Sequence, residues 1–194
     1  MKPISGLRVY SMFTKLLKRI ALALDRQRIP YMVIGGQAVL LHGEPRMTRD
    51  IDITVGITTQ KMDQILDVVG DIQLKPLVDP HEFTLRTMVL PCQDPESHIR
   101  VDFIFSFSPY ERQAMERVRL VDIEGVHVKF ASAEDLVIHK VFAGRPRDME
   151  DVKSVLIKNP GMDTRYIRHW LNELAEATGE SFVDRFENAL KDIS

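Results

Sequence analysis

Apolar residues recur at helical spacing near the start of the chain. Met12, Leu16, Leu17, Ile20, Ala21 and Leu24 fall on one side, with Lys15, Lys18, Arg19 and Arg26 around the rest. That pattern predicts an amphipathic helix over about residues 8–28, ended by Pro30. Tyr31-Met32-Val33-Ile34 then reads as a short buried strand, Gly35-Gly36 as a turn, and Gln37 to His42 as a helix opening at those glycines. Gly43, Glu44 and Pro45 break the chain before a strand that carries Asp50 and Asp52. Thr58 or Thr59 is expected to cap a helix reaching about Val69. Residues 83–90, 99–105, 118–123 and 126–130 read as strands. From Ser132 onward the spacing is helical, with breaks at 144–146, 159–161 and 178–179.

Alternation within a strand has a chemical consequence. In Asp50-Ile51-Asp52-Ile53 the two carboxylates point one way and the two isoleucines the other. Arg100-Val101-Asp102-Phe103 repeats the pattern, with Val101, Phe103 and Phe105 on one face and Asp102 on the opposite one. Asp is depleted in strands, and like charges sharing a face repel, so such an arrangement conflicts with local preference. A hard cation between the acids would resolve the conflict, and an all-oxygen ligand set suits magnesium. An Asp-x-Asp pair on its own also occurs on ordinary solvent-facing strands.

A strand, a diglycine and a helix start form a unit that can hold a triphosphate. Glycine permits close backbone approach, and the first amides of a helix attract phosphate oxygens. In the helix predicted from Ser132, with Ser132 and Asp135 as its capping box, Lys140 falls on an apolar arc with Leu136, Val137 and Val141, whereas Asp135 and His139 take the polar arc. A lysine so placed either snorkels to solvent or reaches into a site as a cation for phosphate. Asp148 and Asp151 lie in the first turns of the next helix, opened by Pro146.

Composition narrows the class further. A chain of 194 residues with 44% apolar content fits one α/β domain with an appended helical part, divided here as residues 1–131 and 132–194. The net charge of −2 argues against a protein that coats nucleic acid. Residues 1–30 nevertheless carry seven basic residues, Lys2 and Arg8 among them, against Asp25, a net of +6. That helix could attract a polyanion such as RNA, dock on an acidic partner, or present a solvated face. A single cysteine, Cys92, excludes an internal disulfide and a cysteine zinc site, and six dispersed histidines do not make one either. No signal peptide is read at the start and no apolar run approaches the roughly 18 to 20 residues of a membrane helix, so a cytoplasmic protein without membrane association is expected.

Taken together, Ile34-Gly35-Gly36, a spacer of thirteen residues, Asp50-Ile51-Asp52-Ile53 and the later Asp102 resemble the polymerase-beta-like nucleotidyltransferase superfamily. Arg46-x-Thr48-x-Asp50-Ile51-Asp52, Asp135-Leu136-x-x-x-Lys140 and Arg147-Asp148-x-x-Asp151 are similar to the AbiEii-type and related minimal nucleotidyltransferases of toxin–antitoxin systems. The resemblance implies a small mixed sheet flanked by helices, an α/β (α+β) fold, and transfer of a nucleoside monophosphate from a nucleoside triphosphate. It implies that Asp50, Asp52 and Asp102 ligate Mg2+ (or Mn2+), and that Gly35, Gly36, Arg49 and Lys140 contact the triphosphate. Asp148 matches a later acidic position of the toxin-like subgroup and joins Asp50, Asp52, Asp102 and Lys140 as a candidate catalytic residue. The acceptor implied is RNA, a protein such as a cognate toxin or antitoxin partner, or a small molecule; a non-catalytic partner-binding module retaining the fold is the alternative. One position departs from the common pattern, because Gly36 stands where serine is frequent.

Overall fold

The computed structural model describes residues 5–106 and 108–193, with side chains from residue 12 onward. Lys2 and the side chain of Arg8 lie outside the described residues. Among the described residues a mixed sheet of seven strands is accompanied by nine helices, which is the expected α/β class. Two compact units divide the chain: Met1–Val33 with Arg49–Phe130, and Ile34–Thr48 with Ala131–Ser194. Among the described residues no helix is long and apolar enough to cross a membrane.

The first unit holds the sheet. Its strands are β1 (Tyr31–Ile34), β2 (Asp50–Val55), β3 (Lys75–Pro76), β4 (Val89–Gln93), β5 (Arg100–Phe105), β6 (Arg119–Ile123) and β7 (Val126–Phe130), in the order β3-β4-β5-β2-β1-β7-β6. β2 runs parallel to β5 and β1 to β7, while β4 is antiparallel to both of its neighbours. Ile51, Ile53, Val101, Phe103 and Phe105 are buried, as the alternation requires. Helix α1 (Ser5–Arg26) buries Leu16, Leu17, Ile20, Ala21 and Leu24, the stripe read from the sequence. Three of its basic residues are paired: Lys18 with Glu124 at 2.8 Å, Arg19 with Asp94 at 3.1 Å, and Arg26 with Asp71 at 3.9 Å. Cys92 is buried in β4, and burial, aided by the charge of Asp102, pushes its thiol up to about 12. A thiol of that acidity is unreactive near neutral pH.

Three stretches of this unit differ from the sequence reading, the short strand β3 at Lys75–Pro76 being an addition to it. Residues 83–90 are largely helical, because α4 (Pro80–Thr87) starts at Asp79, whose side chain accepts from the Glu82 amide at 2.8 Å, with Pro80 in the first turn. Met88 adopts a left-handed conformation that ends the helix, and β4 begins only at Val89. Helix α5 (Pro109–Glu116) is an addition to the sequence reading, although Ser108 and Glu111 form a complete capping box with Pro109 in the first turn. Both helices announce themselves through capping chemistry while their apolar periodicity is weak. The helix after Thr58 appears as a 3-10 turn at Thr59–Lys61 followed by α3 (Met62–Asp71).

The second unit is helical: α2 (Gly35–His42), α6 (Ala133–Ala143), α7 (Pro146–Lys158), α8 (Thr164–Thr178) and α9 (Phe182–Lys191). The breaks fall where the sequence places them, with Gly144 and Gly179 in left-handed C-caps and Asn159 ending α7. Ser132 caps α6 by accepting from the Asp135 amide at 3.1 Å. Asp135 itself is fully buried where a polar arc was expected, since the Tyr166 hydroxyl of α8 donates to its Oδ1 at 2.8 Å. Leu136, Val141, Val152, Val155, Ile167, Leu171 and Phe186 form the core of this unit.

Candidate active site

The acidic face belongs to the first unit. Asp52 stands directly beside Asp102 in the β2–β5 register, and Asp50 beside Arg100. The three carboxylates share one face, each only partly exposed, above the buried Ile51, Ile53, Val101 and Phe103 of the opposite face. Thr54, the next residue along that face of β2, is buried with its hydroxyl unpartnered. Arg100 donates from Nε to Asp102 Oδ1 at 2.8 Å. This hydrogen bond, followed by the charges of Asp102, Asp50 and Asp52, raises the Arg100 pKa despite some burial. Arg49, immediately before Asp50, is exposed.

An oxygen-only set on adjacent strands fits magnesium or manganese by the chemistry of its donors. As the side chains are placed, no group of three or more ligand residues converges on one metal position among the described residues. Asp102 directs one oxygen to Arg100 instead.

Gly35 and Gly36 open α2 in the second unit. Gly35 takes φ of 62°, the left-handed region in which a side chain is strained. Ile34 precedes the helix and supplies no side-chain cap to its first amides. At Gly36 an added Cβ would meet Thr48, colliding with Oγ1 and lying 2.8 Å from its Cβ. The departure from serine at this position therefore has a local cause: the side chain of Thr48 occupies the space. Gly36→Ser is expected to cost about 1–3 kcal/mol of stability by overpacking. Chemical denaturation would measure it, and adding Thr48→Ala should recover part of the loss; an unchanged unfolding midpoint in the single variant would contradict the steric account.

Residues 42–48 run along one side of α7 and are held at successive points. The Asn159 side chain donates to His42 O at 2.8 Å and Lys158 to Gly43 O at 3.1 Å. Further along, Ser154 Oγ accepts from the Glu44 amide at 2.6 Å. Arg46 meets Asp151 through two bonds of 2.7 and 2.8 Å. Such a two-pronged guanidinium–carboxylate pair fixes geometry as well as charge. Lys140 is buried at 8% exposure, and its ammonium lies 2.6 Å from Asp148 Oδ1 and 2.9 Å from Asp151 Oδ2. Snorkelling is thus overturned, because two carboxylates on the neighbouring helix hold the cation inside. Burial acts to raise the Asp151 carboxyl, but hydrogen bonds from Arg46 and Lys140 outweigh it and hold it below the usual range. Asp148 is equally buried, and its Oδ2 has no hydrogen-bond partner.

The structure thus brings Asp50, Asp52 and Asp102 together on one sheet face, and joins Lys140 to Asp148 within the helical unit. Arg100 and the Arg46–Asp151 pair are additions to the sequence reading. Arg100 was within its reach, because a residue two places before Asp102 lies on the same face by the same alternation. The Arg46–Asp151 contact joins residues 105 apart in sequence and leaves no local signal.

The mixed seven-stranded sheet with its flanking helices has the nucleotidyltransferase fold. Residues 11–191 match the family described as "Nucleotidyltransferase of unknown function (DUF6036)", and the chain belongs to that family. It is accordingly a nucleotidyltransferase. Among solved structures it is similar to the antibiotic-resistance factor ANT(2'')-Ia in solution, with a TM-score of 0.61 at 14% identity over 86% of this chain and 95% of that one. ANT(2'')-Ia in complex with adenylyl-2''-tobramycin gives 0.56 at 15% identity, over 90% and 99%. An antigenic nucleotidyltransferase-like protein from Paracoccidioides brasiliensis gives 0.53 at 18% identity, over 92% and 91%. At these identities the likeness concerns the fold. A comparison with curated proteins found no match.

Proposed function

We propose that this enzyme transfers a nucleoside monophosphate from a nucleoside triphosphate to the hydroxyl of a small molecule, with Mg2+ or Mn2+ held by Asp50, Asp52 and Asp102. The observation that carries the reading is the register of β2 against β5, which sets Asp52 beside Asp102 on the face that also bears Asp50. When bound, the divalent cation would lower the pKa of the acceptor hydroxyl and stabilise the pyrophosphate leaving group. The chain's own residues do the rest. The backbone at Gly35 and Gly36 holds the phosphates, Arg49 and Lys140 offset their charge, and Asp148 and Asp151 hold the Lys140 ammonium by two of its three donors. Asp102 draws the proton from the acceptor hydroxyl as its oxygen bonds to the α-phosphorus and the bond to pyrophosphate breaks.

A small-molecule acceptor is favoured over RNA because Lys18, Arg19 and Arg26 of the basic helix are engaged by Glu124, Asp94 and Asp71. A similar fold occurs in a structure that contains adenylyl-2''-tobramycin, which supports the same choice. A toxin–antitoxin role, with RNA or a partner protein as acceptor, is a second reading. It is supported by the linkage of Arg46, Lys140, Asp148 and Asp151, which are the residues shared with the toxin-like pattern.

Incubation with each labelled nucleoside triphosphate, Mg2+ and, separately, a small-molecule extract, total RNA or a protein lysate tests these readings. Label is expected in the small-molecule fraction. Label confined to RNA or protein would move the assignment to the second reading, and label in no fraction with any nucleotide would count against both.

A further inference from the structure

We infer that Arg100 is an internal counter-cation to Asp102 on the acidic face, and that it exchanges Asp102 for the triphosphate when a divalent cation binds. The inference rests on the metal-dependent reading above.

Asp50, Asp52 and Asp102 crowd one face of two adjacent strands, and like charges so placed oppose each other. Arg100 lies on that face beside them. Arg100 sits opposite Asp50 in the strand register, two residues before Asp102, and bonds Asp102 Oδ1 at 2.8 Å.

The bond is placed where it can be released. The Arg100 side chain is 52% exposed, whereas that of Asp102 is 15% exposed. An ion pair with one solvated member is weak, so a divalent cation competing for the same carboxylate can displace it. A metal at Asp102 then removes the partner of Arg100 and adds positive charge beside it. The guanidinium is then free to meet other negative charge nearby. A metal-bound triphosphate supplies it, and the planar donor fork of arginine matches phosphate oxygens. Arg100 would thus weaken the binding of metal alone and strengthen the binding of metal together with triphosphate, so that the two ligands favour each other.

The test uses the full chain, Mn2+ alone, and inorganic triphosphate with saturating Mg2+, read by calorimetry. Arg100→Gln is expected to bind Mn2+ at least about threefold more tightly than the wild type, because the competitor for Asp102 is gone. The same variant is expected to bind triphosphate at least about tenfold more weakly, whereas Arg100→Lys should fall between the two in both measurements. A purely structural ion pair would lower the melting temperature without tightening Mn2+, so unchanged or weaker Mn2+ binding by Arg100→Gln overturns the inference. Unchanged triphosphate binding overturns it equally. Asp102→Asn separates the causes. If Asp102→Asn weakens Mn2+ binding while Arg100→Gln matches the wild type, only the exchange fails; if neither variant alters Mn2+ binding, the metal reading of Asp102 fails with it.

Discussion

Asp50→Ala and Asp52→Ala are each expected to lower nucleotidyl transfer by about three orders of magnitude or more, corresponding to about 4 kcal/mol of transition-state stabilisation. Each removes an oxygen ligand from a face where Asp52 adjoins Asp102 in register. The fold should persist. Neither side chain belongs to the apolar layer beneath, and deleting one of three neighbouring like charges relieves repulsion. Melting temperatures without metal should therefore hold or rise, while the increase on adding Mg2+ should shrink. A marked loss of stability in metal-free buffer would show that the acids serve the fold and would remove the main support for the metal reading.

Lys140→Ala is expected to have the largest effect on stability, about 3–5 kcal/mol, because it leaves Asp148 and Asp151 buried without the cation that holds them. Arg46 still pairs with Asp151, so the variant keeps part of what holds that carboxylate and loses the share supplied by Lys140. The effect should depend on pH. A carboxylate whose folded-state pKa is depressed, as that of Asp151 is, contributes stability above its unfolded value of about 4, and that contribution disappears as pH falls through the lower folded value. The difference between wild type and variant should accordingly be largest near neutral pH and narrow below about pH 4. Urea denaturation at a series of pH values measures it. A difference below 1 kcal/mol at neutral pH would place the network among ion pairs of no structural consequence. Where the variant is still folded, its affinity for triphosphate should fall about tenfold, which is about 1.4 kcal/mol.

Much of the candidate site was legible because strand alternation is a local rule. Once residues 50–55 and 100–105 are read as strands, the common face of Asp50 and Asp52, and the separation of Asp102 from Val101 and Phe103, follow from the pleat alone. The stripe of α1 was legible for the same reason, its spacing being recorded in adjacent turns. The glycines at 144 and 179 marked helix ends because left-handed C-caps favour glycine strongly. Where periodicity was weak, as at α4 and α5, caps made by Asp79 and Ser108 outweighed it, and the reading from apolar spacing went astray or missed the helix.

What the sequence determined by itself was therefore the common face of the acids, a helix opening at the diglycine and the amphipathic first helix, since each depends on residues within a few positions of one another. Only the tertiary structure decided the partners. The pairing of β2 with β5, the collision that keeps position 36 a glycine, the grouping of Ile34–Thr48 with the C-terminal helices, and the enclosure of Lys140 between two aspartates all join segments distant in the chain. Local preference is silent about such pairs. Their geometry is set when burial of the apolar layers brings the segments together, and charged groups caught there must find partners to offset the loss of water.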